Sequence, residues 1–328
     1  MNFCAMNLRI ETLRGFACLL LVTYHVIGAD PSLGLKVQDG ALRWFNDGLA
    51  YLRMPLFTFL SGFVYGMHPF FGSSRVFLLG KVRRLLIPML VVGTGFWLLQ
   101  SLTPGVNSSG EPWYLMHLKP VAHFWFVESL FWIFLVIWAL ERLSLIKNTL
   151  GFSITVGLAC VVYLTIPGWP WLGIEGAIYL MPYFLMGLAC SRFSLAPWLA
   201  REWVKVGLAL LSVGLFFYMG RPIPNPDRRT AAMLLIGLSL CLSCLIWARG
   251  VRCLAWVGRY SYAIYLFHVF FTASIRIALH QVGISYFFLD MVLGIAMGLL
   301  GPMLIEHVVG RNKWSALLLL GRRAQETN

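Results

Sequence analysis

The feature that most constrains this chain is an apolar run that recurs from one end of its 328 residues to the other. Each run is about 17 to 22 residues long, enough for a helix to cross roughly 30 Å of hydrocarbon. Ten are read: 13–29, 49–67, 83–102, 123–140, 149–166, 172–190, 203–220, 231–248, 260–278 and 284–308. Turn chemistry marks their ends, as at Ala29-Asp30-Pro31, Pro167-Gly168-Trp169-Pro170 and Pro222-Ile223-Pro224-Asn225-Pro226. Only 12% of residues are charged, about half the share of a soluble domain. The 24 Phe, 13 Trp and 12 Tyr are far too many for a solvated, disordered chain. The expectation is an all-α, polytopic membrane protein of about ten transmembrane helices, in which lipid solvates the outside of the helices. Loops of at most about twenty residues leave no room for a soluble domain, so residues 1–328 are read as one membrane-embedded domain.

The charge distribution assigns a topology. The chain carries 26 Lys and Arg against 13 Asp and Glu. With the N-terminus inside, 17 of the 26 fall in cytoplasmic segments, six in outside loops and three (Arg14, Arg53 and Arg276) within spans. That bias places both termini in the cytoplasm. The basic excess is therefore a matter of topology, and nucleic acid is not an expected partner. The exception is the outside loop from Arg221 to Arg229, whose three arginines read either as loop variation or as an electrostatic handle for an anionic glycan or lipid pyrophosphate. The first apolar run lacks a small-residue cleavage site, so no cleaved signal peptide is expected. Cys241 and Cys244 form a lone CxxC within a span with no second pair to complete a metal site, and neither a metal nor a disulfide framework is expected.

Ionisable groups inside spans cost roughly 2.5 to 3.5 kcal/mol on insertion scales, so each needs a partner or a function. Arg14 and His25 are eleven residues apart, which at 100° per residue brings them to one helix face about 16 Å apart along the axis. This reading sets Arg14 near the cytoplasmic surface and His25 deep in the span. In the second span Pro55 and Ser61-Gly62 are expected to interrupt the helix beside Arg53, as broken helices do where they line a cavity. Arg83 and Arg84, at the start of the third span, read either as topological anchors or as phosphate ligands. The fourth span opens with His123, Trp125 and Glu128. Trp125 suits an interfacial belt, and Glu128 calls for a cationic partner such as Arg53 or Arg14. In the ninth span Tyr265 and His268 share a face, either for function or for hydrogen bonding between helices.

Taken in order, these segments resemble the acyltransferase-3 family of integral-membrane O-acyltransferases that decorate bacterial glycans. Arg14 and His25 are similar to its Arg-x10-His signature, and Pro55 to Gly62 to its PLFF-x-x-SG segment with Thr58 in place of the second phenylalanine. Arg83-Arg84-Leu85-Leu86-Ile87-Pro88 resembles its RR-x-x-x-P element and His123-Phe124-Trp125-Phe126 its H-x-WF element. Gly258 to His268 resembles its late G-x-x-S-Y-x-I-Y-x-x-H segment. Leu52-Arg53-Met54 stands where many members carry Asp, which is similar to the fucose-O-acetylase-like branch. The resemblance implies a bacterial inner-membrane enzyme that moves an acetyl group from cytoplasmic acetyl-CoA to a sugar hydroxyl, with no metal or prosthetic group. The acceptor is a surface glycan or lipid-linked sugar, membrane lipid surrounds the helices, and a homo-oligomer is open. His25 would be the catalytic residue, and Arg14, Arg83 and Arg84 would bind the donor. Arg53, Ser61, Trp125, Glu128, Tyr265 and His268 would support them. The competing class is a transporter or flippase for an anionic lipid-linked glycan, which predicts inverted repeats that the two halves do not display.

The topology is testable directly. Reporter fusions after residues 75 and 200 are expected to report cytoplasm, and fusions after residues 110 and 225 the opposite side. Reports from the same side at 75 and 110 would remove the span 83–102 and the scheme with it.

Overall fold

Each of the ten apolar segments lies on a helix, and no strand occurs among the described residues. A computed structural model describes residues 3–70, 72–103, 112–219 and 229–322, with the backbone alone at 3–5, 196, 215, 216, 218 and 219. The helices are α1 (Phe3–Ile27), α2 (Ala41–Gly48), α3 (Ala50–Met67), α4 (Ser74–Lys81), α5 (Ile87–Leu102), α6 (Trp125–Arg142), α7 (Thr149–Thr165) and α8 (Ile174–Arg192). They continue with α9 (Ala196–Leu199), α10 (Glu202–Met219), α11 (Ala231–Trp247), α12 (Arg252–Arg259), α13 (Ser261–Gln281), α14 (Phe287–Val309) and α15 (Lys313–Leu320). Six stretches among the described residues are long and apolar enough to cross a membrane: Met6–Ile27, Ser74–Leu102, Ala122–Arg142, Ile174–Arg192, Ser261–Gln281 and Phe287–Val309. Arg221 to Arg228 of the basic outside loop lie outside the described residues.

The chain forms two compact units, one of residues 1–61 and 190–305, the other of residues 62–189 and 306–328. In the first unit α1 is the central element, and small residues let its neighbours come close. A Cβ on Gly15 would overlap the carbonyl oxygen of Leu254, and one on Gly258 would overlap the carbonyl oxygen of Glu11. Thr12 secures the same crossing: its Oγ1 accepts from the Val251 amide at 3.0 Å while donating to the Leu8 carbonyl at 2.7 Å. Farther along α1, Cys18, Val22 and Val26 pack with Ile264 and Met303 in a fully buried cluster. Gly294 and Gly298 of α14 lie directly against Val26 and Val22.

The second unit is built on aromatic rings. Tyr65, Phe77, Phe134 and Phe184 meet with centroids 5.3 to 6.4 Å apart, the spacing at which edge and tilted contacts between rings are favourable. The Lys81 ammonium lies over the Phe134 ring at 3.2 Å, so its charge is met by the ring face. Gly62 of α3 faces the Phe184 carbonyl of α8, where a Cβ has no room. The expected break in α3 is absent: the helix runs unbroken through Pro55 and Ser61-Gly62. Proline removes one amide donor, and glycine serves close packing here rather than a bend.

The Gly258 crossing is open to test. Gly258→Ala sets a Cβ against backbone that cannot step aside, so a loss of about 1 to 3 kcal/mol is expected, read as a lower thermal midpoint in detergent. Gly157→Ala, on α7 where a Cβ meets nothing within 4 Å, is expected to be neutral or mildly stabilising.

Candidate active site

The candidate site grows out of α1. This helix begins some ten residues before the expected span, so Arg14 sits in its middle and His25 in its last turn. The apolar stretch before Arg14 extends the helix, and Glu11 makes the extension tolerable by giving Arg14 a carboxylate one turn back. The Arg14 Nη1 to Glu11 Oε1 distance is 2.8 Å, and both side chains are partly exposed.

His25 is half-buried and lies between two rings. The Tyr24 ring stands edge-on to it at 5.0 Å, and the His268 ring of α13 at 4.8 Å and 61°. His268 is fully buried. Its Nδ1 lies 2.8 Å from the Ile264 carbonyl oxygen and 2.9 Å from that of Tyr265. Two acceptors at this range require Nδ1 to carry the proton, which leaves the lone pair on Nε2. Tyr265, 3% exposed, therefore contributes its backbone carbonyl to fixing that ring.

Arg53 reaches the same region from α3. It is 4% exposed, and its guanidinium lies 4.3 Å from the centroid of the Tyr24 ring. Its Nη2 donates to the backbone carbonyl and to the side-chain Oδ1 of Asn46. Asn46 and Arg43, both buried in α2, close the network on the loop after His25. Arg43 Nη1 donates to the Gly28 carbonyl at 2.7 Å, and its Nε and Nη2 donate to the Val37 carbonyl. Gly28 and Gly34 take positive φ in this loop, which glycine adopts without strain. Beside them Asp30 accepts from the Ser32 hydroxyl at 2.5 Å and amide at 2.8 Å, and these bonds hold its carboxyl below the usual carboxylate range. The loop that follows His25 is thus anchored by polar bonds at Gly28, Asp30 and Val37. Ser61 is not part of this group: its Oγ donates to the Phe57 carbonyl of its own helix at 2.8 Å.

In the second unit the basic pair is not at a helix start. Residues 74–102 form one continuous helix, and Val82–Leu86, which holds Arg83 and Arg84, is a turn of π-helix closed by the Ile87 amide on the Val82 carbonyl. The cause is Pro88, which lacks the amide that would bond the Arg84 carbonyl and crowds that turn. Gly321, in the left-handed conformation after α15, packs against the Arg83 carbonyl and Arg84 Cα. Trp125 and Glu128 occupy the first turn of α6. The Trp125 ring lies under Gly176, whose missing Cβ makes the space. Glu128 is buried, and its Cβ faces Gly173. No ion pair among the described residues involves Glu128, and its Oε2 has no hydrogen-bond partner there. In the first unit Arg14 is paired with Glu11, and Arg53 with Asn46 and Tyr24. The described residues contain no group of three His, Cys, Asp or Glu able to hold a metal ion.

A family model described as an acyltransferase domain matches residues 7–307, nearly the whole chain. The chain belongs to the acyltransferase-3 family. No curated protein and no solved structure shows a match to it. As an acyltransferase-3 protein with several apolar spanning helices, it is a multi-pass membrane acyltransferase. Within that frame the structure draws His25, Arg53 and His268 into one polar group with Tyr24 and the Tyr265 carbonyl, while Ser61 is taken up by its own helix. Sequence reasoning missed Tyr24, Arg43 and Asn46. Tyr24 is on the same turn as His25, but only the approach of Arg53 gives it a role. Arg43 and Asn46 sit three apart in a short helix bounded by Gly40 and Gly48, and that spacing was the available signal.

Proposed function

We propose that this acyltransferase-3 protein moves an acetyl group from cytoplasmic acetyl-CoA to a sugar hydroxyl of a cell-surface or lipid-linked glycan. Its setting is a bacterial inner membrane, with ten spans and both termini in the cytoplasm. The observation that carries the reading is the ring contact between His25 and a fully buried His268. A neutral imidazole beside a partly exposed face suits a base for an incoming hydroxyl, since its reference pKa is about 6.5. The chemistry balances without a further reactant. His25 takes the hydroxyl proton as the oxygen bonds to the acyl carbon, the carbon–sulfur bond breaks, and the proton goes on to the departing CoA sulfur. The cationic groups Arg14, Arg83 and Arg84 serve the phosphates of the donor. The π-turn supports this role for the pair, because such turns redirect side chains from the regular helical rows and recur at functional sites.

His25→Ala is expected to abolish acyl transfer while the protein still folds and binds acetyl-CoA. A general base contributes about 10²- to 10⁴-fold, so activity of the purified variant should fall close to background in a glycan-acetylation assay. Near-normal transfer by a normally folded His25→Ala protein would remove the catalytic assignment and favour a conduit. Replacing Arg83 and Arg84 together by Ala is expected to weaken acetyl-CoA binding with folding intact. Replacing both by Lys should keep part of the binding, because charge remains and the bidentate geometry is lost. Unchanged donor affinity in the double-alanine protein, measured by calorimetry, would leave the pair as topological anchors.

A further inference from the structure

We propose that the ion pair between Arg322 and Glu306 is a positioning device for the basic pair Arg83 and Arg84, a step that rests on reading that pair as ligands of the donor phosphates. The ion pair holds the C-terminal segment against the backbone of the π-turn that carries them. Its origin is an awkwardly placed carboxylate. Glu306 lies in the last turn of α14 and is 7% exposed, so it is disfavoured both by burial and by the negative end of its own helix. The cation that meets it comes from just beyond α15: Arg322 Nη2 donates to Glu306 Oε1 at 2.5 Å.

The backbone carries this tether to the basic pair. Gly321 takes a φ of 63° after α15, a conformation glycine adopts without strain. Its amide and that of Arg322 close on the Leu317 and Ala316 carbonyls at 3.0 Å each. The chain so turned brings Gly321 onto the π-turn with no side chain between them. A Cβ there would stand 2.4 Å from the Arg83 carbonyl oxygen and 2.6 Å from the Arg84 Cα. Neighbouring Cα atoms are about 3.8 Å apart, so what holds Arg322 also holds Gly321. Breaking the Arg322 to Glu306 bond leaves a buried carboxylate without its cation and releases the end of the chain, and the turn loses the surface it rests on. The two guanidinium groups then sample more positions, and acetyl-CoA has to offset the entropy of ordering them. Chemistry at His25 is untouched, because Arg322 meets neither of the reacting groups.

A double-mutant cycle on the purified full-length protein tests this. Arg322→Ala and Glu306→Ala are each expected to raise the Kd for acetyl-CoA about tenfold, and the double variant no further than the larger single effect, because both remove one bond. At saturating acetyl-CoA, kcat and the KM for the acceptor should stay within about twofold of wild type, a split that general loss of folding does not produce. Wild-type donor affinity in the single variants, or losses that multiply in the double, would overturn the proposal. Arg83 and Arg84 replaced together by Ala, run in parallel, keep the readings apart. If that protein binds acetyl-CoA as tightly as wild type, the pair is not a donor ligand and both readings fall. If it binds weakly while Arg322→Ala and Glu306→Ala bind normally, only the positioning role falls. Should the variants fail to fold, hydrogen–deuterium exchange on the wild type decides. Acetyl-CoA must then slow exchange at the Gly321 and Arg322 amides together with residues 82–86, and protection confined to 82–86 overturns the positioning role.

Discussion

The first unit depends on one close approach, the crossing of α1 and α12 at Gly15 and Gly258. Each glycine lies against backbone of the other helix, so their relative height is fixed by hard contact rather than by interchangeable side chains. The chain then passes from α12 into α13 with only Tyr260 between them. From this contact it is ten residues along α1 to His25 and ten along α12 and α13 to His268. The buried cluster of Cys18, Val22, Val26 and Ile264 holds the register between. A ring contact between two histidines far apart in sequence is therefore the far end of a crossing set by two missing Cβ atoms.

The ionisable groups of the apolar segments are handled in different ways, each with its own physical logic. Arg14 takes a carboxylate from its own helix, Arg53 takes an aromatic face and an asparagine, and Arg43 takes backbone carbonyls of the loop it fastens. Lys81 rests on a phenylalanine ring. Each replaces water with a partner of suitable polarity, as a low-dielectric surrounding requires. Glu128 differs, being buried without an ion-pair partner among the described residues.

The proline of the third apolar segment acts on the helix differently from that of the second. Pro55 is absorbed within a continuous α3, whereas Pro88 is accommodated by a π-turn that carries Arg83 and Arg84. In the second case Gly321 lies against the same turn, so the C-terminal segment and the basic pair are packed as one piece. A basic cluster that hydropathy reads as the cytoplasmic edge of a span is thus inside a long helix, at the point where its bonding pattern changes.

The sequence by itself determined that the chain is helical throughout its apolar segments and that it belongs among membrane acyltransferases. Apolar length and the order of short motifs are properties of the chain read along itself, and the cost of transferring each residue into lipid adds up locally. It also marked Arg14, His25, Arg53, Glu128 and His268 as residues that need a reason to lie within an apolar segment. Only the tertiary structure decided what that reason is. Arg14 found Glu11, Arg53 found Tyr24 and Asn46, and His25 found His268. Such pairings depend on the height at which helices cross and on which face each turns inward. Those are set by close contacts such as that of Gly15 with Gly258, between residues hundreds of positions apart, and no local sum of hydropathy or spacing contains them.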